Sequence, residues 1–554
     1  MLQRAPLLAL GTLDEQLRPW TTLWGGSPGF SEPLGGCFIG TRALVDSKHD
    51  PVVNALLNGN ASVEMLQPHD RGKLVAGLAI DLMTRKRVKI AGRMVAGAIS
   101  EVNVERHGGP AKQHQIQLVT IVDQSLGNCP KYLNQYELRP ALVQSTSLFQ
   151  GPTLSTEGIS LIEKADMFFL STSTDTDQDT NHRGGPPGFA RVISSSEIIY
   201  PEYSGNRLYQ SLGNLLLSPK IGLTFPDYST GDVLYITGTA QVLIDTDAAK
   251  LLPGSNIAVK ITIDESRFIQ AGLPFRGTRH LPSPYNPRVR VLASEGNVKT
   301  TITTTSQNAL LVKKHPITSS IARFTFSVPN GISYSPGQWI ALDFKQELDI
   351  GYEHMRDSDP TSLNDDFVRT FTISSTPACP SPEKEFDITI RKIGPVTRFL
   401  FQRTANSGLE IPILGVGGDF KIHQESGSVT PFIAGGVGIT PLLGQLHTLD
   451  VSPSRFKLLW TLRASDVDFA IDTLQRHPGL AGCTEMYLTG DSTREQETKA
   501  LEGLGAVVHM RRIAASDVDG VDAQTWYLCA GDAMKKAVLG LLGGKTVVYE
   551  DFDY

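Results

Sequence analysis

The residues that could do chemistry fall into four groups in the second half of the chain. RTFT (369–372) sets Arg369, Thr370, Phe371 and Thr372 in succession: a guanidinium, a flat ring and two hydroxyls. Such a guanidinium offers several fixed N–H donors to a pyrophosphate. GPVT (394–397) opens a helical pattern behind strand-like FDITIRKI (386–393). Gly394, Val396 and Thr397 therefore stand where free backbone N–H groups and the helix dipole attract anions, and Arg391 adds a fixed charge. GGVGITP (435–441) follows the apolar run TPFIAGG (430–436), with Pro441 suited to a first helical turn. Its Gly435, Gly436, Gly438 and Thr440 make either a nucleotide-binding turn or a plain strand–helix turn. YLCAGDAM (527–534) places Cys529, Gly531 and Met534 after another apolar strand, and no histidine lies near Cys529 in sequence to make it a nucleophile. Glycines, hydroxyls and a thiol without a triad suit binding and positioning more than acid–base catalysis.

These groups need a frame. RFTFSV (323–328) and QWIALDF (338–344) alternate like half-buried strands, and SYSPGQ (333–338) between them is a turn. The acidic stretch 346–366 reads as a surface excursion. After residue 425 strands and helices alternate: TPFIAGG, FKLLWTL (456–462), EMYLTG (485–490), AVVHM (506–510), WYLCAG (526–531) and TVVYEDF (546–552). That order predicts a doubly wound α/β sheet with its Gly-rich turn after the first strand.

The front half repeats itself. GSPGF (26–30) and GPPGF (185–189) stand 185 − 26 = 159 apart, and the same offset carries Leu56-Leu57 to Leu215-Leu216. An apolar run precedes each, LLALGT (7–12) or MFFLST (167–172), and a helical pattern follows each. Val52, Val53, Leu56 and Leu57 share one helical face, as do Leu208, Leu212, Leu215 and Leu216. A Gly-centred strand comes next, IAGR (90–93) against ITGT (236–239). Matches kept in order predict an internal duplication, two similar small β-barrels making within one chain the interface a homodimer makes between two.

Composition bounds the rest. At 554 residues the chain has material for three or four domains. Hydrophobic residues at 40% and charged residues at 19% exclude global disorder. Net charge is 51 − 57 = −6 with no long basic run, which argues against nucleic acid or an anionic membrane as partner. Five scattered cysteines without a Cys-x-x-Cys leave metal sites unsupported and fit a reducing, cytoplasmic setting. No apolar run reaches a membrane-spanning length.

Two resemblances follow. GTLDEQLRPWTTLWGGSPGF (11–30), QSLGNCPKYLNQYEL (124–138), HRGGPPGFARV (182–192) and the block 205–238 resemble flavin-nucleotide-binding proteins related to pyridoxamine-phosphate oxidase. That family implies split β-barrels with FMN at their paired interface, here near Arg183, Gly184 and Gly185 or near Asn206, Gly213 and Asn214. The ordered set RTFT, GPVT, GGVGITP and YLCAGDAM resembles the ferredoxin-reductase-like flavoproteins. This implies FAD held by Arg369, Thr370, Phe371, Thr372, Arg391, Gly394, Val396 and Thr397. It also implies a pyridine nucleotide on Gly435, Gly436, Gly438, Thr440, Pro441, Cys529, Gly531 and Met534. Phe371 stands where the family has Tyr, and Ala530 intrudes after Cys529. Thr372, Cys529 and the C-terminal aromatic Phe552 are the expected catalytic residues. Arg463 with Ser492 and Arg494 of STREQ favours NADPH over NADH, the alternative being an exposed helix start capped by Ser492.

The expected fold class is thus multidomain: a duplicated split β-barrel (α+β; 1–150 and 151–271), a linker (272–304), an antiparallel FAD-binding β-barrel (305–425) and a doubly wound α/β NAD(P)-binding domain (426–554). The expected protein is a monomer or homodimer that passes electrons from NAD(P)H through FAD to a small-molecule substrate or an acceptor protein.

Overall fold

The apolar runs at 7–12 and 167–172 form strands Leu7–Leu13 and Met167–Ser173 of two sheets. The computed structural model describes residues 1–57, 72–105, 111–295, 307–349, 351, 353–377, 382–490 and 495–550. The chain makes two units, the first Met1–Asn297 with Tyr352–Asp365, the second Val298–Gly351 with Asp366–Tyr554.

In the first unit the topology repeats. One antiparallel sheet runs Pro19–Gly25, Leu7–Leu13, Lys73–Asp81, Lys86–Val104, Ala111–Gly127, Phe38–Leu44, Ser31–Gly35. The other runs Gln178–Gly184, Met167–Ser173, Lys220–Pro226, Val233–Ile244, Ile257–Gln270, Glu197–Pro201, Arg191–Ser194, with Thr146–Gly151 beside Ile257–Gln270. Strand for strand, the sequence order within each sheet is the same.

Leu7, Leu8, Ala9 and Leu10 are all buried, as are Met167, Phe168, Phe169 and Leu170, because each strand has its own core on one face and the other sheet on the second. The two sheets meet reciprocally. Thr21 Oγ1 donates to the Gly222 carbonyl (3.2 Å) and Thr180 Oγ1 to the Ala76 carbonyl (3.0 Å). Gly11 is required there, since a Cβ would lie 2.0 Å from Ser171 Oγ.

Helix Pro51–Leu57 buries Val52, Val53, Leu56 and Leu57 as its periodicity predicts. Its counterpart Gln210–Leu217 buries Leu212 and Leu215 but leaves Leu216 75% exposed, and Leu208, before the helix, is exposed as well. Two of the four residues expected on that face therefore point to solvent.

Asp50 caps the first helix, accepting the N–H groups of Val52 (2.8 Å) and Val53 (3.2 Å), and also accepts from Thr22 Oγ1 (2.6 Å) and Trp24 Nε1 (3.0 Å). Burial outweighs these bonds and pushes its carboxyl up to about 6. A pKa above the unfolded value of 3.8 means that the protonated form stabilises the fold below that pH, an effect lost as pH rises through about 6. Asp50→Asn should remove that part of the pH dependence, about 3 kcal/mol between those limits, read from denaturant unfolding of both proteins across pH 3.5–7.

Residues 272–295, expected within the linker, belong to the first unit instead. Phe275–Arg279 pairs with Tyr136–Pro140 in a two-stranded sheet, and Tyr285 and Leu292 are buried. A ribbon this short carries no sustained period, so its Pro- and Arg-rich sequence resembles a connection.

In the second unit six antiparallel strands run Val368–Thr372, Trp339–Asp343, Glu410–Gly417, Gln307–Pro316, Ile321–Ile332, Glu383–Arg391. A bridge between Ile373 and Ile388, with the Ser374 N–H donating to the Asp387 carbonyl (2.8 Å), closes them into a barrel. Phe324, Phe326 and Val328 fill it from alternate positions. Six parallel strands follow in the order Val507–His509, Thr484–Thr489, Phe456–Arg463, Thr430–Gly435, Thr525–Cys529, Thr546–Tyr549.

Candidate functional site

The parallel sheet grows to one side from Thr430–Gly435, and then the chain crosses to place Thr525–Cys529 on the other side. In open α/β sheets ligands bind at such a switch point, outside the carboxyl ends of the strands. Gly435, Gly436 and Gly438 leave one of these strands, and Cys529, Ala530 and Gly531 leave the other. A Cβ on Gly438 would lie 2.1 Å from the Cys529 carbonyl, and one on Gly435 would lie 2.8 Å from both Ala530 Cβ and Met534 Sδ. Glycine is what lets the two turns touch.

Gly436 takes φ +59°, and its carbonyl accepts from Trp460 Nε1 (2.9 Å). Thr440 Oγ1 donates to the Val437 carbonyl (3.0 Å), so that hydroxyl shapes the turn, and Pro441 is buried in the short helix Thr440–Leu443. The Cys529 thiol is fully buried, and burial with the nearby Glu550 carboxylate pushes its pKa well up. It keeps its proton at neutral pH and is no nucleophile.

On the barrel, the register sets Thr372 opposite Trp339, Phe371 opposite Ile340, Thr370 opposite Ala341 and Arg369 opposite Leu342. Thr372 Oγ1 is buried and has no hydrogen-bond partner among the described residues. Buried hydroxyls are normally satisfied, so this one marks a missing partner. Phe371 is half-buried, edge-on to Phe344 with ring centres 6.4 Å apart. Arg369 donates to the Val368 carbonyl (2.7 Å) and lies 3.7 Å from Asp366.

At the head of helix Pro395–Gln402, Thr397 Oγ1 accepts the N–H groups of Ile393 (2.8 Å) and Gly394 (3.0 Å). Val396 points into the barrel core, while no atom stands within 4 Å of where a Gly394 Cβ would be. The turn is thus open to an approaching group.

Arg391 stands against the nucleotide turn, with Nη2 3.5 Å from the position of a Gly436 Cβ. It is held there by Asp466 (2.8 Å) and donates to Ser320 Oγ (3.2 Å), which in turn donates to Asp466 (2.8 Å). This triad, with Asp466 buried at its centre, ties the barrel to the parallel sheet. Arg463 ends its strand exposed, beside Thr489, with no ion-pair partner among the described residues. Ser492, Arg494 and Phe552 lie outside the described residues.

Sequence reasoning missed Thr461, whose buried Oγ1 also has no hydrogen-bond partner among the described residues and which lies in register with Gly435. Its signal was a hydroxyl near the carboxyl end of the second strand of the sheet.

The first unit has its own cavity. Arg183, Gly184 and Asn206 line it, as does a basic set that sequence reasoning missed: Arg87, Lys89 and Lys131. KRVK (86–89) held the signal, two cations alternating on one strand. Asn214 is not part of this lining; it packs its helix on a strand by donating to Thr172 Oγ1 (3.2 Å).

Arg183 is paired with Glu202 (2.8 Å) and Lys89 with Asp179. Among the described residues Arg87 reaches only the His182 ring (3.0 Å), and burial lowers its pKa to about 10. Burial, with Arg87 and Arg183 beside it, holds His182 neutral, and its Nε2 has no partner among the described residues. Lys131 donates to the carbonyls of Ser204 (2.8 Å) and His354 (2.6 Å). Segment 353–365 thus packs behind lining residues, with Asn364 donating to Tyr132 Oη (2.9 Å) and accepting the Ser204 N–H (2.9 Å).

No protein-family model matches the chain. Methane monooxygenase component C of Methylosinus trichosporium is 25% identical over 146 residues, 26% of this chain and 37% of that protein. The glycine betaine monooxygenase reductase subunit of Pseudomonas aeruginosa is 33% identical over 112 residues, 20% of this chain and 25% of that protein. The chain spans well under half the length of these curated relatives. Among solved structures, the flavohem-like FAD/NAD-binding domain of nitric oxide dioxygenase from Vibrio cholerae aligns over 44% of this chain and 98% of that domain, at 18% identity and a TM-score of 0.33. Among the described residues, no helix is long and apolar enough to cross a membrane.

Proposed function

We propose that the second unit is an NAD(P)H-dependent flavin oxidoreductase that binds FAD on its barrel and NADPH or NADH at the switch point of its sheet. Electrons then pass to an acceptor at or near a front half built as a duplicated split barrel that holds FMN. The reading rests above all on one observation: Thr372, in the barrel strand that carries Arg369 and Phe371, buries a hydroxyl with nothing to bond. The similarity to reductase components of oxygenase systems supports it.

FAD, when bound, accepts a hydride and releases electrons one or two at a time. The chain's own part is positioning. Arg369 and the backbone N–H groups of Val396 and Thr397 would hold a pyrophosphate, and Thr372 would supply a hydrogen bond to a ring. Gly435, Gly436 and Gly438 give a dinucleotide close approach to the backbone. Cys529, a neutral thiol, fills the floor between the two strand ends and excludes water without reacting. Arg463, with Ser492 and Arg494, favours the 2′-phosphate of NADPH.

In the front half the basic cavity fits a phosphate-bearing flavin, because Arg87 and Lys131 have no carboxylate partner among the described residues. A second reading makes the front half a docking module for an external acceptor protein. The exposure of Leu216 and Leu217, at 75% and 79%, favours it. Releasing, identifying and counting the flavins decides: one FAD and one FMN per chain is the expected result. FAD alone supports the docking module, and no flavin after incubation with FAD defeats both readings.

A further inference from the structure

We infer that the first unit holds a single dianion of the phosphate-monoester class per chain, in the cavity at Arg87, Lys131 and Arg183, and that the position related to it by the repeat has become solid core. The inference rests on reading the front half as a ligand-holding module, and it adds how many ligands that module takes and why.

The strand registers fix the correspondence. Gly11 lies opposite Thr21 and Ala76, and Ser171 opposite Thr180 and Gly222. Counting along these strands, Trp20 corresponds to Asp179, Leu23 to His182 and Trp24 to Arg183. Ala76 lies opposite Ala91, and Gly222 opposite Thr237, so Val233 corresponds to Arg87 and Tyr235 to Lys89.

Every charged or imidazole group of that set in and around the cavity is thus matched by an apolar or aromatic side chain. Trp20, Leu23, Trp24, Val233 and Tyr235 are at most 2% exposed and belong to one continuous core. They pack against one another as core side chains do, at the density of a protein interior. Two copies of one chain would have to keep both positions alike, because their symmetry makes the sites identical. A duplicated chain has no such constraint, and here one position kept its cations while the other was filled.

Charge sets the ligand class. Glu202 answers Arg183 and Asp179 answers Lys89, while two further lining cations, the half-buried Arg87 and the buried Lys131, have no carboxylate among the described residues. Buried charge is costly until it is paired, and two unmatched cations call for a doubly charged anion. His182 Nε2, buried without a partner beside them, is a further polar atom left for a ligand.

Calorimetric titration of the full chain, freed of FMN and with FAD retained, tests this with FMN and with inorganic phosphate as probes. The expected result is one site per chain for FMN, competed by phosphate, with affinity falling at least about tenfold in Arg87→Met. Trp20→Phe and Tyr235→Phe, at the filled position, should leave stoichiometry and affinity unchanged, with melting curves as the control for folding. Two sites per chain, or full affinity in a folded Arg87→Met, overturns the single-site inference while leaving the ligand-holding reading intact. No binding of either probe removes that reading, and this inference with it.

Discussion

Gly438→Ala should slow reduction of bound flavin by NADPH or NADH by about 100-fold or more while leaving FAD content unchanged. The new methyl would lie 2.1 Å from the Cys529 carbonyl, and that neighbour is backbone, which cannot swing aside as a side-chain end can. The turns leaving Thr430–Gly435 and Thr525–Cys529 must then separate, displacing whatever is held across them. A misplacement of about 1 Å costs on the order of 100-fold in a positioned reaction. The barrel residues Arg369–Thr372 are untouched, so FAD should copurify as before. Stopped-flow reduction together with flavin quantification separates the two effects. Loss of FAD with reduction of the remainder at the normal rate would place the damage elsewhere.

Arg391→Ala should destabilise the second unit by about 3–5 kcal/mol, the range for a buried pair that loses one partner. Asp466 is 2% exposed, and without Arg391 its remaining side-chain donor among the described residues is Ser320 Oγ. Denaturant unfolding reads the loss, and Arg391→Met with Asp466→Leu should recover most of it, because no charge is then stranded. The sequence suggested a different role, a pyrophosphate contact. The double variant tests that role too: if Arg391 also binds cofactor, FAD affinity stays low after stability has returned.

How far the sequence was legible depended on how local each signal was. Gly435, Gly436 and Gly438 announced a tight strand–helix turn because the constraint sits in adjacent residues. Strand alternation at Phe324, Phe326 and Val328 was equally local, and it gave a barrel face directly. Arg391 was visible as a charge, but its partner Asp466 follows a strand of the parallel sheet far along the chain, and no spacing rule links them. The basic cavity stayed hidden for the same reason, since Arg87, Lys131 and Arg183 converge only when two sheets pack. Leu216 misled because helical periodicity marks an apolar stripe without saying how far along the helix the neighbouring sheet reaches. The repeat was legible from a few matched segments, whereas its asymmetry, Trp24 for Arg183 and Tyr235 for Lys89, needed the strand registers.

Anaerobic mixing of the FAD-loaded protein with a pyridine nucleotide tests the central proposal most directly. The flavin absorbance should bleach within the time of one turnover, faster with NADPH than with NADH, and with no added metal or protein. A flavin that is demonstrably bound, yet stays oxidised before both nucleotides at saturating concentration, would contradict it.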